Sequence, residues 1–107
     1  MNWPDGRRYG RLVLYYSPVC EALWGYATGP NSETWTVHID VHRQSDRAVA
    51  PASFSGRTAL PGSWGNVLSD LTGCVYAEGY VVKGGAAGPH ARTACVQGSG
   101  SVTHTAG

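Results

Sequence analysis

The sequence predicts an all-β domain, a small antiparallel β-sandwich or barrel of about five to seven short strands. Three observations carry that prediction. Apolar and aromatic runs are short and separated by turn residues, with 15 glycines and 6 prolines in 107 residues. The stretch TWTVHIDVHR alternates apolar and polar side chains at a period of two. No segment sustains the 3.6-residue spacing of an amphipathic helix.

Taken in chain order, residues 1–10 read as an entry loop, because Pro4-Asp5-Gly6 is a turn signal. RLVLYY (11–16) is rich in β-formers and bounded by Gly10 and Ser17-Pro18, so it reads as a strand. Ser17 as N-cap and Pro18 at the first helical position suggest one short helical turn near residues 18–24, limited by Gly25. GYATGPNSE is a loop. In the strand that follows, Trp35, Val37, Ile39 and Val41 face one way, toward the core, while Thr36, His38, Asp40 and His42 face the other. QSDR is a turn, and AVAPASFSGRTALPGS is irregular, since Pro51 and Pro61 forbid a central strand across them. SWGNVLS (63–69) is a strand, DLTG a turn of hairpin length, and CVYAEGYVV (74–82) a strand weakened or bulged at Gly79. KGGAAGPH is a flexible loop, and ARTACVQ (91–97) the last strand. Residues 98–107, GSGSVTHTAG, read as a flexible C-terminal tail. The body of the chain, residues 11–97, is therefore one domain, as its length also suggests.

Composition narrows the function classes. Only 14% of residues are charged and aromatics occur throughout, which excludes a disordered tail. A net charge of +1 gives no general attraction to nucleic acid, so none is expected as a partner. No apolar run is long enough to insert across a bilayer. The N-terminus lacks the apolar core of a secretory signal, so an exported chain would have lost its leader.

Of the three cysteines, Cys74 and Cys95 lie in consecutive predicted strands, where a disulfide is geometrically natural if the strands are neighbours. Closing about twenty residues would stabilise the fold by roughly 3 kcal/mol. Cys20 is then left buried or without a partner. Three reduced cysteines in a cytosolic protein is the competing reading; the bridge favours secretion.

His38, Asp40 and His42 are the candidate metal or acid–base face. Along a straight strand the two histidines stand about 13 Å apart, and a zinc–nitrogen bond is about 2.1 Å. One ion cannot take both, and a third ligand must come from elsewhere, with His90 and His104 in segments expected to be mobile. Alternation alone explains the trio as the solvated face of a one-sided sheet. Asp40 and Glu78 are the only carboxylates on predicted strands, and exposed charge accounts for them. No G-x-S-x-G nucleophile motif occurs. KGGAAG does not fit a phosphate loop, because its lysine precedes the glycines and no helix follows. No catalytic residue, metal or cofactor is expected.

The aromatics are more informative. Trp24, Trp35 and Trp64, with Tyr15, Tyr16, Tyr26, Tyr76 and Tyr80, exceed what a core this small needs. Trp64, Tyr76 and Tyr80 are the candidate binding surface, suited to a protein partner or to the flat face of a glycan. The expected function is a small exported, non-enzymatic β-domain that binds another protein or a cell-surface ligand. A small secreted hydrolase or toxin using His38, Asp40 and His42, or a carbohydrate-binding module, is the alternative.

The segment Tyr16-Ser17-Pro18-Val19-Cys20, with Trp24 four residues on, resembles the Tyr-Ser-Pro-x-Cys-x-x-x-Trp stretch of the YjfA-like family of small secreted bacterial proteins. WGNVLSDLTGCVYAEGYV is similar, more loosely, to that family's closing strand pair, and the likeness spans most of residues 10–97. It implies an exported, disulfide-containing β-domain and carries over no catalytic residues. The chain departs from the family in having no cysteine before Cys20.

Overall fold

The computed structural model describes residues 1–57, 62–98 and 103–106. Among them no helix forms, and ten strands build two antiparallel sheets packed face to face. The first sheet has the order β10 (Thr103–Ala106), β1 (Leu12–Ser17), β2 (Ala22–Ala27), β6 (Ser63–Ser69). The second has β4 (Ala48–Ala50), β3 (Trp35–Arg43), β7 (Val75–Lys83), β8 (Ala86–Ala87), with β5 (Ser53–Phe54) also on β3 and β9 (Ala91–Arg92) also on β7. The all-β expectation holds. The strand number exceeds five to seven because four of the ten are only two or three residues long.

Alternation places the core between the sheets. Leu12, Leu14, Leu23 and Ala27 of the first sheet meet Val37, Ile39, Val41, Val75, Ala77 and Val81 of the second. Each fully buried aliphatic chain contributes about 1.5–3 kcal/mol relative to exposure. Trp35, on the predicted core face, is partly buried at the edge of this cluster and packs edge-on against Trp3.

Several local expectations are corrected. Residues 18–24 form no helical turn; β2 begins at Ala22, because Leu23, Gly25 and Ala27 alternate inward with Trp24 and Tyr26 outward. Ser17 Oγ still accepts the Cys20 N–H at 3.3 Å, as an N-cap would, but it closes the β1–β2 hairpin turn, where Glu21 takes a left-handed φ of 49°. β7 carries no bulge at Gly79, since its pairing with β3 runs unbroken from Trp35↔Lys83 to Arg43↔Val75. The glycine is there for close approach: a Cβ would stand 2.9 Å from Met1 Sδ and 3.1 Å from Leu12 Cδ1. The bulge lies instead in the β2–β6 pairing, between Trp24 and Tyr26.

The turn at Asp70–Gly73 joins strands of different sheets and makes no hairpin. Residues 91–97 shorten to β9 and a single bridge, Val75↔Val96, because Thr93 Oγ1 takes the Ala77 N–H at 2.9 Å in place of a ladder bond. The irregular stretch from Ala48 contains two short strands broken at Pro51, while Pro61 lies outside the described residues.

Both ends are better anchored than expected. Met1 is buried, its ammonium donates to Gly10 O at 3.0 Å, and Asn2 bridges Arg8, so residues 1–10 cap the core. In the predicted tail, β10 pairs with β1 from Leu12↔Ala106 to Tyr15↔Thr103, while 99–102 and 107 lie outside the described residues. Cys74 and Cys95 form the disulfide, with Cα atoms 5.3 Å apart. Cys20 is free and exposed, not buried.

Candidate functional site

The outer face of the second sheet gathers the polar side chains of β3 and β7 in register. His38 stands opposite Tyr80, Asp40 opposite Glu78, and His42 opposite Tyr76. Flat rings directly across an antiparallel pair stack well. His38 lies on Tyr80 with centroids 4.5 Å apart and planes within 3°, and His90 lies on Tyr80 at 4.0 Å and 2°. His42 stacks on Tyr76 at 4.9 Å, and the Arg92 guanidinium sits 4.8 Å from the same ring.

Glu78 is the centre of this face. Its side chain is only 16% exposed. Arg92 donates from Nη2 at 2.7 Å and Nε at 3.3 Å, both to Oε2. Oε1 is approached by His90 Nδ1 at 3.5 Å and by His42 Nε2 at 3.8 Å. The hydrogen-bonded Arg92 guanidinium holds the Glu78 carboxyl below its ordinary value, with help from His90 and against the burial that pushes it up. His42 Nε2 is buried, with no hydrogen-bond partner among the described residues, and Glu78 Oε1 lies 3.8 Å from it.

Beside this cluster lies an open recess of about 400 Å³ walled by His42, Arg43, Arg47, Tyr76 and Arg92. Arg43 is spent on structure. Its Nε and Nη2 clasp Asp46 at 3.0 and 2.8 Å, and its Nη1 donates to Ser69 O. Arg47, on the β3–β4 turn at φ 60°, carries no ion pair among the described residues. On the other side His38 and Asp40 border a smaller recess with Pro51, Ala52 and Ser53, and Asp40 Oδ1 accepts the Ala52 N–H at 3.3 Å.

The predicted trio is therefore divided. His42 approaches Glu78 as well as stacking on Tyr76, while His38 stacks on Tyr80 and Asp40 accepts from the backbone. Among the described residues no three His, Cys, Asp or Glu side chains could hold a metal ion together. The trio does lie on the outward, partly exposed face of β3, and what the alternation did not show is Glu78 beside it, near two imidazoles and a guanidinium.

The predicted binding surface is divided too. Tyr76 and Tyr80 lie on the face just described, whereas Trp64 lies on the outer face of the first sheet, across the core. There it joins rings from β1 and β2. Tyr26 stands 4.2 Å from Trp64, and Tyr15 stands 5.7 Å from both Trp64 and Trp24. Trp64 is 60% exposed and Val67 beside it is also exposed. The four strands of this sheet contain no Asp, Glu, Lys or Arg. That absence was visible in the sequence; only the strand order joins the uncharged segments into one surface.

No family model, no curated protein and no solved structure matches this chain.

Proposed function

We propose that this chain is an exported binding domain that engages a protein partner through the outer face of the first sheet. The observation that carries this reading is the uncharged strip of Tyr15, Trp24, Tyr26 and Trp64, with Trp64 the most exposed ring. Protein interfaces concentrate aromatic side chains and exclude charge at their centres, and a few Trp and Tyr residues carry most of the binding free energy. The rings brace one another, so little side-chain entropy remains to be lost on docking. Export is supported by the Cys74–Cys95 disulfide, and no helix among the described residues is long and apolar enough to cross a membrane. The resemblance of the Tyr16–Trp24 stretch to the YjfA-like family agrees with export.

The test is affinity capture from culture supernatant with the tagged chain, followed by titration of the captured protein. Trp64→Ala is expected to weaken that binding about thirtyfold, equivalent to about 2 kcal/mol, with the urea midpoint unchanged. The same loss on a glycan array, without protein capture, transfers the surface to a sugar ligand. Capture and array both empty, or binding indifferent to Trp64→Ala, overturns the reading.

A further inference from the structure

The opposite face, which the aromatic strip leaves unused, presents a different chemistry. His42 and His90 approach a single oxygen, Glu78 Oε1, from two directions, each with one ring nitrogen. The second nitrogen of each ring, His42 Nδ1 and His90 Nε2, is the one that does not face Glu78. Arg92 touches both parts of the site, hydrogen-bonding the carboxylate that His90 reaches while lining the recess that His42 lines. Its Nη1 takes no part in the bonds to Glu78, and Arg47 adds a second cation at the recess wall. His90 is half exposed and so is accessible.

Two imidazoles beside guanidiniums match a reaction in which one proton is removed, another is delivered, and negative charge builds on non-bridging oxygens. Glycoside cleavage by the facing carboxylates Asp40 and Glu78 fits less well, because Asp40 Oδ1 accepts the Ala52 N–H and Glu78 Oε2 is engaged by Arg92. With both imidazoles in proton-transfer roles, the site is completed by a substrate that carries its own nucleophile next to an anionic centre. Ribose does, in the 2′-hydroxyl beside the 3′-phosphodiester.

We propose that His42, His90 and Arg92, held by Glu78, form a site that cleaves RNA by internal transphosphorylation. The unprotonated imidazole takes the 2′-hydroxyl proton as the 2′-oxygen bonds to phosphorus. The bond from phosphorus to the 5′-oxygen breaks, and that oxygen takes the proton of the other imidazole. The products are a 2′,3′-cyclic phosphate and a 5′-hydroxyl. Two protons have moved and no co-reactant is consumed. Arg92 and Arg47 offset the charge gathering on the phosphoryl oxygens, and Glu78 is a positioning residue whose Oε1 lies 3.5 Å from His90 and 3.8 Å from His42. The low net charge leaves affinity to this local cluster, so the site acts on short or unstructured RNA without a long phosphate track.

The experiment uses the purified chain and an oligonucleotide carrying one ribose in a deoxyribose background. Cleavage at the ribose, a cyclic-phosphate terminus by mass spectrometry and an intact all-deoxy control are expected. His90→Gln, at a half-exposed position, and His42→Gln are each expected to slow cleavage about 100-fold or more. Glu78→Gln is expected to lower kcat with KM unchanged, the mark of a lost orienting contact. Val19→Ala, at a fully exposed position in the β1–β2 turn that belongs to neither site, is expected to cleave like the parent chain. Parent cleavage no faster than that of His90→Gln, equal cutting of the all-deoxy strand, or RNA binding without cleavage overturns the proposal.

Discussion

Asp40 and Glu78 face each other directly across the β3–β7 ladder. Like charges in that position repel, and each carboxylate has its own relief: Arg92 and the two imidazoles for Glu78, the Ala52 N–H for Asp40. Asp40→Asn keeps an Oδ1 for Ala52 and removes the repulsion, so it is expected to leave stability unchanged or raise it by up to about 1 kcal/mol. Glu78→Gln, which removes the charge that Arg92 pairs with, is expected to destabilise. Urea unfolding of both variants at neutral pH checks the asymmetry.

Acid should unfold the domain through its carboxylates. Arg92 lowers the Glu78 carboxyl, and Arg43 lowers that of Asp46 to about 2. Groups depressed on folding add stability that is fully present above their unfolded values and lost as pH falls through the folded ones. The unfolding free energy is therefore expected to decline between the unperturbed glutamate value of 4.5 and about pH 2, the folded value of Asp46. A series of urea titrations measures the limb, and Arg92→Gln is expected to flatten the part of it due to Glu78.

The disulfide ties the residue before β7 to the segment after β9. Its reduction, or the pair Cys74→Ala and Cys95→Ala, is expected to cost about 3 kcal/mol in unfolding free energy. Thiol titration of the denatured oxidised chain should find one reactive group, and none in Cys20→Ser. More than one in the parent chain contradicts the pairing.

Ile39 Cγ2 fills the space that a side chain at Gly25 would need, and a Cβ at Gly65 would stand 2.9 Å from the same methyl. Gly25→Ala is expected to destabilise by about 1–3 kcal/mol through overpacking between the sheets. At Gly56 a Cβ meets only the Phe54 ring at 3.5 Å, an ordinary contact, so Gly56→Ala serves as the neutral control in the same urea series.

Much of the fold was legible because amphipathic strands declare themselves. β3 was readable from alternation and β7 as a β-rich run, and the cysteine pair followed from its placement in the predicted strands 74–82 and 91–97. β2 was misread because Ser17-Pro18 is a genuine helix-start signal, while Ala22, Gly25 and Ala27 are too small to mark a buried face. β10 was invisible because Thr-His-Thr-Ala carries no apolar stripe and forms by pairing with the edge of β1.

The sequence by itself determined an all-β domain, the inward row of Val37, Ile39 and Val41, the outward row of His38, Asp40 and His42, and the cysteines available for bridging. Those follow from local periodicity, which depends only on the order of residues. Register and sheet order were decided by tertiary structure. They set Glu78 among His42, His90 and Arg92, and sent Trp64 to one face and Tyr76 and Tyr80 to the other. The reason is that a shift of one residue between paired strands exchanges their faces. What selects among the registers is the fit of Leu12, Leu14 and Leu23 against Val37, Ile39 and Val81, a contact between distant segments that no local pattern encodes.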